Sequence, residues 1–163
     1  MAVLRSPQFG AILFRASELV GQQGQDAFEQ LGIPLDARKI SIVLALHRHG
    51  PLSSSELADR IGHSRQLIEA RLKPVVADGF LVSRIDPQDS RKRVYDFADS
   101  AKPVVADVLA TMADFEIVYD EIWAELGVDL EQALKAFETA LKARTLTQRL
   151  LARFPHHNPE EPE

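Results

Sequence analysis

Residues 51–98 read PLSSSELADRIGHSRQLIEARLKPVVADGFLVSRIDPQDSRKRVYDFA, and this stretch decides the fold. It begins with two short helical patterns that are separated by Gly62 and His63. Two runs of strand-forming residues, FLVSRI and RVYDF, then flank the polar turn DPQDSRK. The order helix, turn, helix, hairpin is that of a winged helix-turn-helix, in which the second helix enters the major groove of DNA.

Both helices of this stretch carry signals for where they begin and which side they bury. Ser53 and Glu56 stand three residues apart, which is the spacing of a capping box, and Ser64 is a candidate N-cap for the second helix. Apolar residues on the second helix share one face and should pack against the first helix: Ile68, Leu72 and Val75.

The opposite face of the second helix is polar, and its side chains would meet base edges or phosphates. It carries Arg65, Gln66, Glu69 and Lys73. The alternative is a solvated helix face, but the hairpin that follows favours contact with DNA. The serines at the helix starts are first of all caps, and contact of these helix N-termini with phosphate is a secondary hypothesis for Ser53, Ser54 and Ser64.

Three consecutive basic residues, Arg91, Lys92 and Arg93, directly follow the turn residues 86–90 of the hairpin. At the tip or on the return arm of the wing, they would reach phosphate or the minor groove. Arg91 could instead pair with Asp89 and shape the wing, and the two roles are compatible.

Helical patterns precede and follow the winged stretch. A first helix is predicted over residues 8–31, and Asp36 should cap a second one. After the hairpin, Asp99 or Ser100 should cap a long helix with Pro103 in its first turn. This helix has apolar residues at alternating spacings of three and four, the seam of helices packed side by side: Val105, Val108, Met112, Phe115, Tyr119, Ile122 and Leu126.

The fold class is therefore predicted to be mainly α, an α+β winged helix with about six helices and a two- to three-stranded wing sheet. Asp129 should start a single last helix, and the proline-rich acidic tail at residues 155–163 should be disordered.

The net charge of −5 conceals an uneven distribution. Residues 60–93 hold eight basic and four acidic side chains, whereas residues 99–131 hold nine acidic side chains and Lys102 alone. A locally basic segment of an acidic protein can still bind phosphates, because salt screens the attraction or repulsion of charges that lie more than about a Debye length away.

Several classes of protein and site are disfavoured. There are no cysteines, which excludes disulfides, thiolate zinc sites and cysteine redox switches. No apolar run approaches a membrane span and no signal-peptide pattern is present, so a cytoplasmic protein without membrane partners is expected. Phosphate-loop and catalytic motifs are absent, and the histidines, among them His47 and His49, do not form a metal set. No enzymatic activity, cofactor or metal is expected.

At this point the sequence resembles the MarR family of bacterial transcriptional regulators. The resemblance is carried by LALHRHGPL at residues 44–52, by SELA, by the interval from Gly62 to Gly79, and by Asp86-Pro87-x-Asp89-x-Arg91. It implies a symmetric homodimer that reads a palindromic operator in double-stranded DNA. Family members commonly repress genes and release DNA when a small ligand, often an aromatic acid, binds. The branch that senses oxidants through a cysteine is excluded here.

The resemblance also implies that the terminal helices form a dimerisation bundle. The segments are then an N-terminal dimerisation helix at residues 1–34, a DNA-binding domain at residues 35–98 and C-terminal dimerisation helices at residues 99–154. A ligand pocket is implied as well. The homodimer interface would use Val108, Met112, Phe115, Tyr119, Ile122, Leu126, Phe137 and Leu141. A pocket for a small aromatic or acidic ligand would be lined by Phe9, Ile12, Arg15, His47, Met112 and Phe115.

The chain departs from the family pattern at four positions. Ser90 replaces an arginine of the wing motif, and Ala98 replaces the threonine that usually caps the long helix. Glu69 places a negative charge on the DNA-facing side, where it repels phosphates but could accept a hydrogen bond from cytosine. Pro74 should kink the recognition helix or loosen its last turn. These features keep open an alternative function, a winged-helix protein-interaction module with weak or no DNA binding.

Overall fold

The computed structural model describes residues 8–87 and 89–154. These residues form seven α-helices and one small antiparallel sheet, which confirms the predicted fold class. The elements are α1 (Phe9–Gln30), α2 (Ile40–His49), β1 (Leu52–Ser53), α3 (Ser54–Ile61), α4 (Arg65–Ala77), β2 (Leu81–Ile85), β3 (Arg93–Phe97), α5 (Lys102–Leu126), α6 (Leu130–Ala143) and α7 (Leu146–Leu151).

The sheet has the strand order β1-β3-β2, so the wing hairpin is joined on one side by the two-residue strand β1. Ser83 lies opposite Tyr95 in the register of the hairpin. Phe80 and Phe97 close the base of the hairpin with an edge-to-face contact whose ring centroids lie 6.2 Å apart. Leu81 is buried and Val82 is exposed, so β2 presents Leu81 to the core.

The core of the winged helix lies between α2, α3, α4 and the sheet. The predicted apolar face of α4 is confirmed, because Ile68, Leu72 and Val75 are at most 2% exposed. They belong to a continuous buried cluster that also contains Ile42, Leu46, Leu52, Leu57, Ala58 and Leu81. Burial of these side chains fixes the orientation of α4 relative to the wing.

The turn between α3 and α4 is defined by the residues that the sequence indicated. Ser53 and Glu56 form the predicted capping box at the start of α3. Gly62 ends α3 with φ +75°, a left-handed conformation that favours glycine. Ser64 then caps α4 by accepting a hydrogen bond from the backbone N–H of Leu67. These caps set the spacing of the two helices.

Two predictions about the C-terminal helices are wrong. Neither Asp99 nor Ser100 is an N-cap: a single 3-10 turn, Asp99–Ala101, precedes α5, and Ala98 occupies its cap position without a side-chain hydrogen bond. The predicted single last helix is two helices, because Thr145 forms a new capping box with Gln148 and starts α7. Asp36 likewise caps a 3-10 turn, Ala37–Lys39, which leads into α2.

Pro74 does not end α4, which continues to Ala77. The proline is exposed and lies one turn from the C-terminus of the helix, where its carbonyl accepts a hydrogen bond from the N–H of Asp78. Its missing N–H removes one intrahelical hydrogen bond without breaking the helix.

The chain divides into two structural units, Met1–Met112 and Ala113–Glu163. The first contains the winged helix. In the second, Tyr119 lies between Phe115 and Trp123, with ring centroids 6.3 Å and 5.6 Å away. No helix among the described residues is long and apolar enough to cross a membrane. The tail at residues 155–163 lies outside the described residues.

Candidate nucleic-acid interface

The polar face of α4 is exposed, as its burial pattern requires. Side chains on one side of the helix fill the core, so those on the other side face solvent. The predicted DNA-facing residues Arg65, Gln66, Glu69 and Lys73 are all exposed. Ser64 is exposed as well, although its hydroxyl is used as the cap of the helix.

Arg65 and Glu69 form an ion pair one turn apart on this face. The Arg65 Nε donates to Glu69 Oε1 at 2.7 Å, and the Ser54 hydroxyl donates to the same oxygen at 3.1 Å. These two hydrogen bonds lower the pKa of Glu69, that from Arg65 contributing most. Glu69 is therefore a partnered carboxylate rather than an isolated negative charge.

Arg91 is highly exposed, with 93% of its side chain accessible, whereas 34% of the Lys92 side chain is accessible. Asp89 shapes the turn beneath it by accepting a hydrogen bond from the backbone N–H of Arg91 at 3.0 Å. The Arg91 Nε lies 3.6 Å from the Asp89 carboxylate, which is an ion pair but a long one. The guanidinium is thus free to approach a polyanion.

Lys92 is tied to the body of the domain instead. Its Nζ lies 2.8 Å from Glu56 and 3.7 Å from Asp86. The Lys92 ammonium, together with hydrogen bonds from Ser53, lowers the pKa of Glu56 to about 2, and Glu56 in turn raises the pKa of Lys92. The ion pair joins the wing to the N-terminus of α3, so Lys92 holds the wing in place.

The other predicted contact residues differ in how available they are. Arg93 begins β3, and its Nη1 donates to the Ser83 hydroxyl at 2.7 Å. Ser53 and Ser54 are only 7% and 8% exposed, and their hydroxyls donate to Glu56 and Glu69. The secondary hypothesis of phosphate contact therefore gains no support for these two serines.

These groups share one open depression of about 590 Å³ between α3, α4 and the wing. Its lining includes Arg65 and Glu69 from α4, and Asp89, Arg91, Lys92 and Arg93 from the hairpin. Gln66, Lys73 and Ser64 do not line it. Four cationic side chains therefore face one surface, and three carboxylates lie among them. Glu69 pairs with Arg65, Asp89 pairs with Arg91, and Glu56 pairs with Lys92.

Sequence reasoning missed the connection between Glu56 and the wing. Glu56 was identified only as part of a capping box, and its second partner, Lys92, lies 36 residues away. No local spacing predicts a contact over that separation. Asp86, assigned only to the turn, lies beside the same ammonium group.

The predicted ligand-pocket residues are not gathered in the groove beside α1. That groove, of about 950 Å³, lies between α1 and the segment leading to α2, and Ser17, Gln25 and Arg38 are among its lining residues. None of Phe9, Ile12, Arg15, His47 or Met112 lines it. Phe115 belongs to the second unit.

The winged segment is similar to a known protein family. Residues 33–92 match the model of the MarR family, a match that spans α2, α3, α4, β2 and the wing turn. The winged segment is therefore similar to the MarR family, and the resemblance seen in the sequence is confirmed. The matched segment contains Arg65, Glu69, Glu56, Arg91 and Lys92.

A curated relative and solved structures agree with this assignment. The chain is 25% identical over 99 residues to the transcriptional regulator AdcR of Streptococcus pneumoniae serotype 2 (strain D39 / NCTC 7466). These aligned residues cover 61% of this chain and 68% of AdcR. The structure resembles the Mycobacterium tuberculosis regulator MOSR in complex with DNA, with a TM-score of 0.67, 20% identity, and coverage of 85% and 98% of the two chains.

It also resembles the Staphylococcus aureus MepR–DNA complex, with a TM-score of 0.66 and 15% identity over 83% of this chain and 96% of MepR. At 20% and 15% identity, the similarity to MOSR and MepR shows a shared fold.

Proposed function

We propose that this chain is a sequence-specific DNA-binding transcriptional regulator, rather than an enzyme, and that it acts as a homodimer on a palindromic operator. The observation that carries the proposal is the surface shared by the exposed face of α4 and the wing, where Arg65 and Arg91 line one depression. In this proposal α4 enters the major groove of double-stranded DNA, and the wing contacts the backbone or the minor groove.

The charge distribution and the relatives support this proposal. Residues 60–93 are locally basic, with eight basic and four acidic side chains, although the whole chain carries −5. MOSR and MepR, which have the same fold, were solved in complex with DNA, and AdcR is a transcriptional regulator. Glu69 weighs less against DNA binding than its charge suggests, because the guanidinium of Arg65 is bonded to it.

Exposed apolar side chains on the terminal helices support the homodimer. In the second unit, Ile122, Leu126 and Phe137 are 37%, 58% and 38% exposed in the single chain. Side chains of this size are favoured at interfaces, where a second copy would remove them from water. Val108, which was also predicted at the interface, is fully buried within its own chain and has no surface left to offer.

A small-molecule ligand that modulates DNA binding is the third part of the proposal. The regulator PcaV of Streptomyces coelicolor, to which the chain is 17% identical, was solved in complex with its natural ligand. A ligand that binds one separation of the two recognition helices more tightly than another would shift the population and change DNA affinity. An aromatic or acidic compound is the class we propose.

The test is a fluorescence anisotropy titration of the full chain with the DNA upstream of its own coding sequence and with random duplex, at two salt concentrations. Binding should be tighter to the upstream DNA and should weaken as salt rises, because bound phosphates release counterions. Arg65→Ala should reduce the preference for that DNA, and Arg91→Ala should weaken binding to both duplexes. Equal affinities that do not respond to salt would favour the protein-interaction alternative.

A further inference from the structure

We infer that Glu69 is a positioning residue that fixes Arg65 for end-on recognition of a guanine in each operator half-site. This inference rests on the proposed function and deepens it. It names the base that Arg65 reads, and it gives the Glu69 carboxylate a role other than repelling DNA.

Glu69 connects Arg65 to a buried group of the preceding helix. One oxygen, Oε1, accepts from Arg65 Nε at 2.7 Å and from the hydroxyl of Ser54 at 3.1 Å. Ser54 is 8% exposed and lies on α3, 15 residues away in sequence. The carboxylate is thus anchored from below by the body of the domain, and it restrains an arginine whose side chain is 65% exposed.

The geometry of this ion pair determines which part of Arg65 is left for DNA. The guanidinium carries five N–H donors in a fixed plane, and Glu69 uses the one on Nε. The two terminal nitrogens make no hydrogen bond to any other described residue. They form a flat pair of donors at the end of the side chain, and α4 presents this end to solvent.

Guanine is the base that matches two parallel donors. Its major-groove edge offers two acceptors, O6 and N7, whereas adenine pairs its N7 acceptor with an amino donor that would face the arginine. Cytosine presents an amino donor, and thymine offers a single acceptor beside a methyl group. An arginine held end-on therefore selects guanine.

Two simpler roles for Glu69 fit the structure less well. An exposed ion pair one helical turn apart adds little stability, so stabilisation alone gives a weak reason for a carboxylate at this place. A purely repulsive carboxylate would need no partner, yet Glu69 accepts from two side chains on two helices. Immobilising Arg65 before binding lowers the conformational cost of using it to read a base.

The experiment begins with the full-length wild-type chain and a randomised duplex library, from which the preferred site is recovered. Kd values are then measured for that site, for each single base-pair change in it, and for random duplex. Arg65→Ala, Glu69→Ala, the double variant and Glu69→Gln are compared with wild type. Asp59→Ala is the matched control, since it removes an exposed carboxylate of the same domain that bonds to neither Arg65 nor Ser54.

Arg65→Ala should lower discrimination at one G·C pair by roughly 5- to 100-fold. Glu69→Ala should lower discrimination at the same pair by roughly two- to tenfold, while its affinity for random duplex stays equal or rises because a negative charge is lost. The double variant should discriminate no worse than Arg65→Ala alone. Glu69→Gln, which keeps an acceptor oxygen, should retain more discrimination than Glu69→Ala.

Two results would overturn the inference while leaving the proposed function in place. Unchanged discrimination in Glu69→Ala would show that Arg65 needs no positioning, and loss at a different base pair would show that Glu69 contacts a base itself. If the wild-type chain selects no site from the library, the proposed function fails and takes the inference with it. Melting temperatures of all variants guard against loss of folding as the cause.

Discussion

The link between the wing and α3 yields a prediction about stability, tested by Glu56→Gln. In the folded chain, the Glu56 carboxylate accepts from the Lys92 ammonium at 2.8 Å and from the backbone N–H of Ser53 at 2.8 Å. Glutamine keeps the size of the side chain and an acceptor for the cap, because either residue can complete a capping box. The substitution therefore removes mainly the charge that holds the wing.

The expected loss can be worked out from the pKa. Lowering the pKa of Glu56 from 4.5 to about 2 would correspond to about 3 kcal/mol if the unfolded chain had the ordinary value and the group were shielded from solvent. The two side chains are 40% and 34% exposed, so water and salt screen the pair. We expect Glu56→Gln to lower the free energy of unfolding at pH 7 by roughly 0.5–1 kcal/mol.

The sign of the pH dependence follows from the direction of the shift. Because folding lowers the pKa of Glu56, the stabilisation is present above the unfolded pKa of 4.5 and is lost as the pH falls through 4.5 toward 2. More than half of the difference between wild type and Glu56→Gln should therefore disappear between pH 7 and about pH 3.

Urea denaturation followed by circular dichroism measures this difference, with all proteins at one concentration because dimerisation would shift the transition. Asp59→Asn is the control, since it removes a carboxylate of the same helix that is not bonded to the wing. A difference for Glu56→Gln that stays constant from pH 7 to pH 3, or that matches the effect of Asp59→Asn, would show that the Glu56–Lys92 ion pair does not stabilise the fold.

Three further predictions concern packing, backbone conformation and assembly. Leu72→Ala should lower the free energy of unfolding by about 2–5 kcal/mol because Leu72 is 1% exposed in the core. Leu72→Met, which keeps the volume of the side chain, should lower it by less than about 1.5 kcal/mol. Similar urea midpoints for the two variants would contradict the importance of packing at this position. Gly62→Ala should lower the free energy of unfolding by roughly 1–2 kcal/mol because residue 62 has φ +75°, although the added Cβ would meet no atom within 4 Å. The control Gly21→Ala, inside α1, should not destabilise the fold. If both changes are neutral in the same urea assay, the backbone conformation of Gly62 is not the cause of any cost. Phe137→Asp should convert the homodimer to monomer in light scattering after gel filtration, and an unchanged dimer mass would remove Phe137 from the proposed interface.

Local signals predicted much of the winged helix. The capping box of Ser53 and Glu56 and the buried face of α4 depend on residues three or four apart, and Gly62 ends α3 by its own backbone conformation. The structure confirms each of them. Strand runs on both sides of a polar turn were sufficient to place the hairpin.

The errors arose where a local signal had a competitor. Thr145 and Gln148 form a second capping box inside a continuous apolar pattern, and periodicity alone did not show that a new helix starts there. At Asp99, the backbone forms a 3-10 turn and the carboxylate pairs with Lys102, so the expected cap is not used.

The candidate site required three-dimensional information for its most important contacts. Glu69 could be placed on the DNA-facing side of α4, but its bond to Ser54 on another helix could not be read from spacing. The same holds for the ion pair of Lys92 with Glu56, which gives a residue predicted to contact DNA a second role in supporting the wing. Contacts between distant segments depend on how the helices pack, and the sequence pattern does not specify that packing.

Two copies of this chain are proposed to read a palindrome, and selection from a randomised duplex library is the experiment that distinguishes this from other modes of binding. We expect an enriched site made of two inverted half-sites whose centres lie about 10–10.5 base pairs apart, one turn of DNA, so that two symmetric α4 helices enter successive major grooves. Enrichment of a single half-site without its inverted copy would contradict the dimer, and no enrichment at any salt concentration would contradict sequence-specific DNA binding itself.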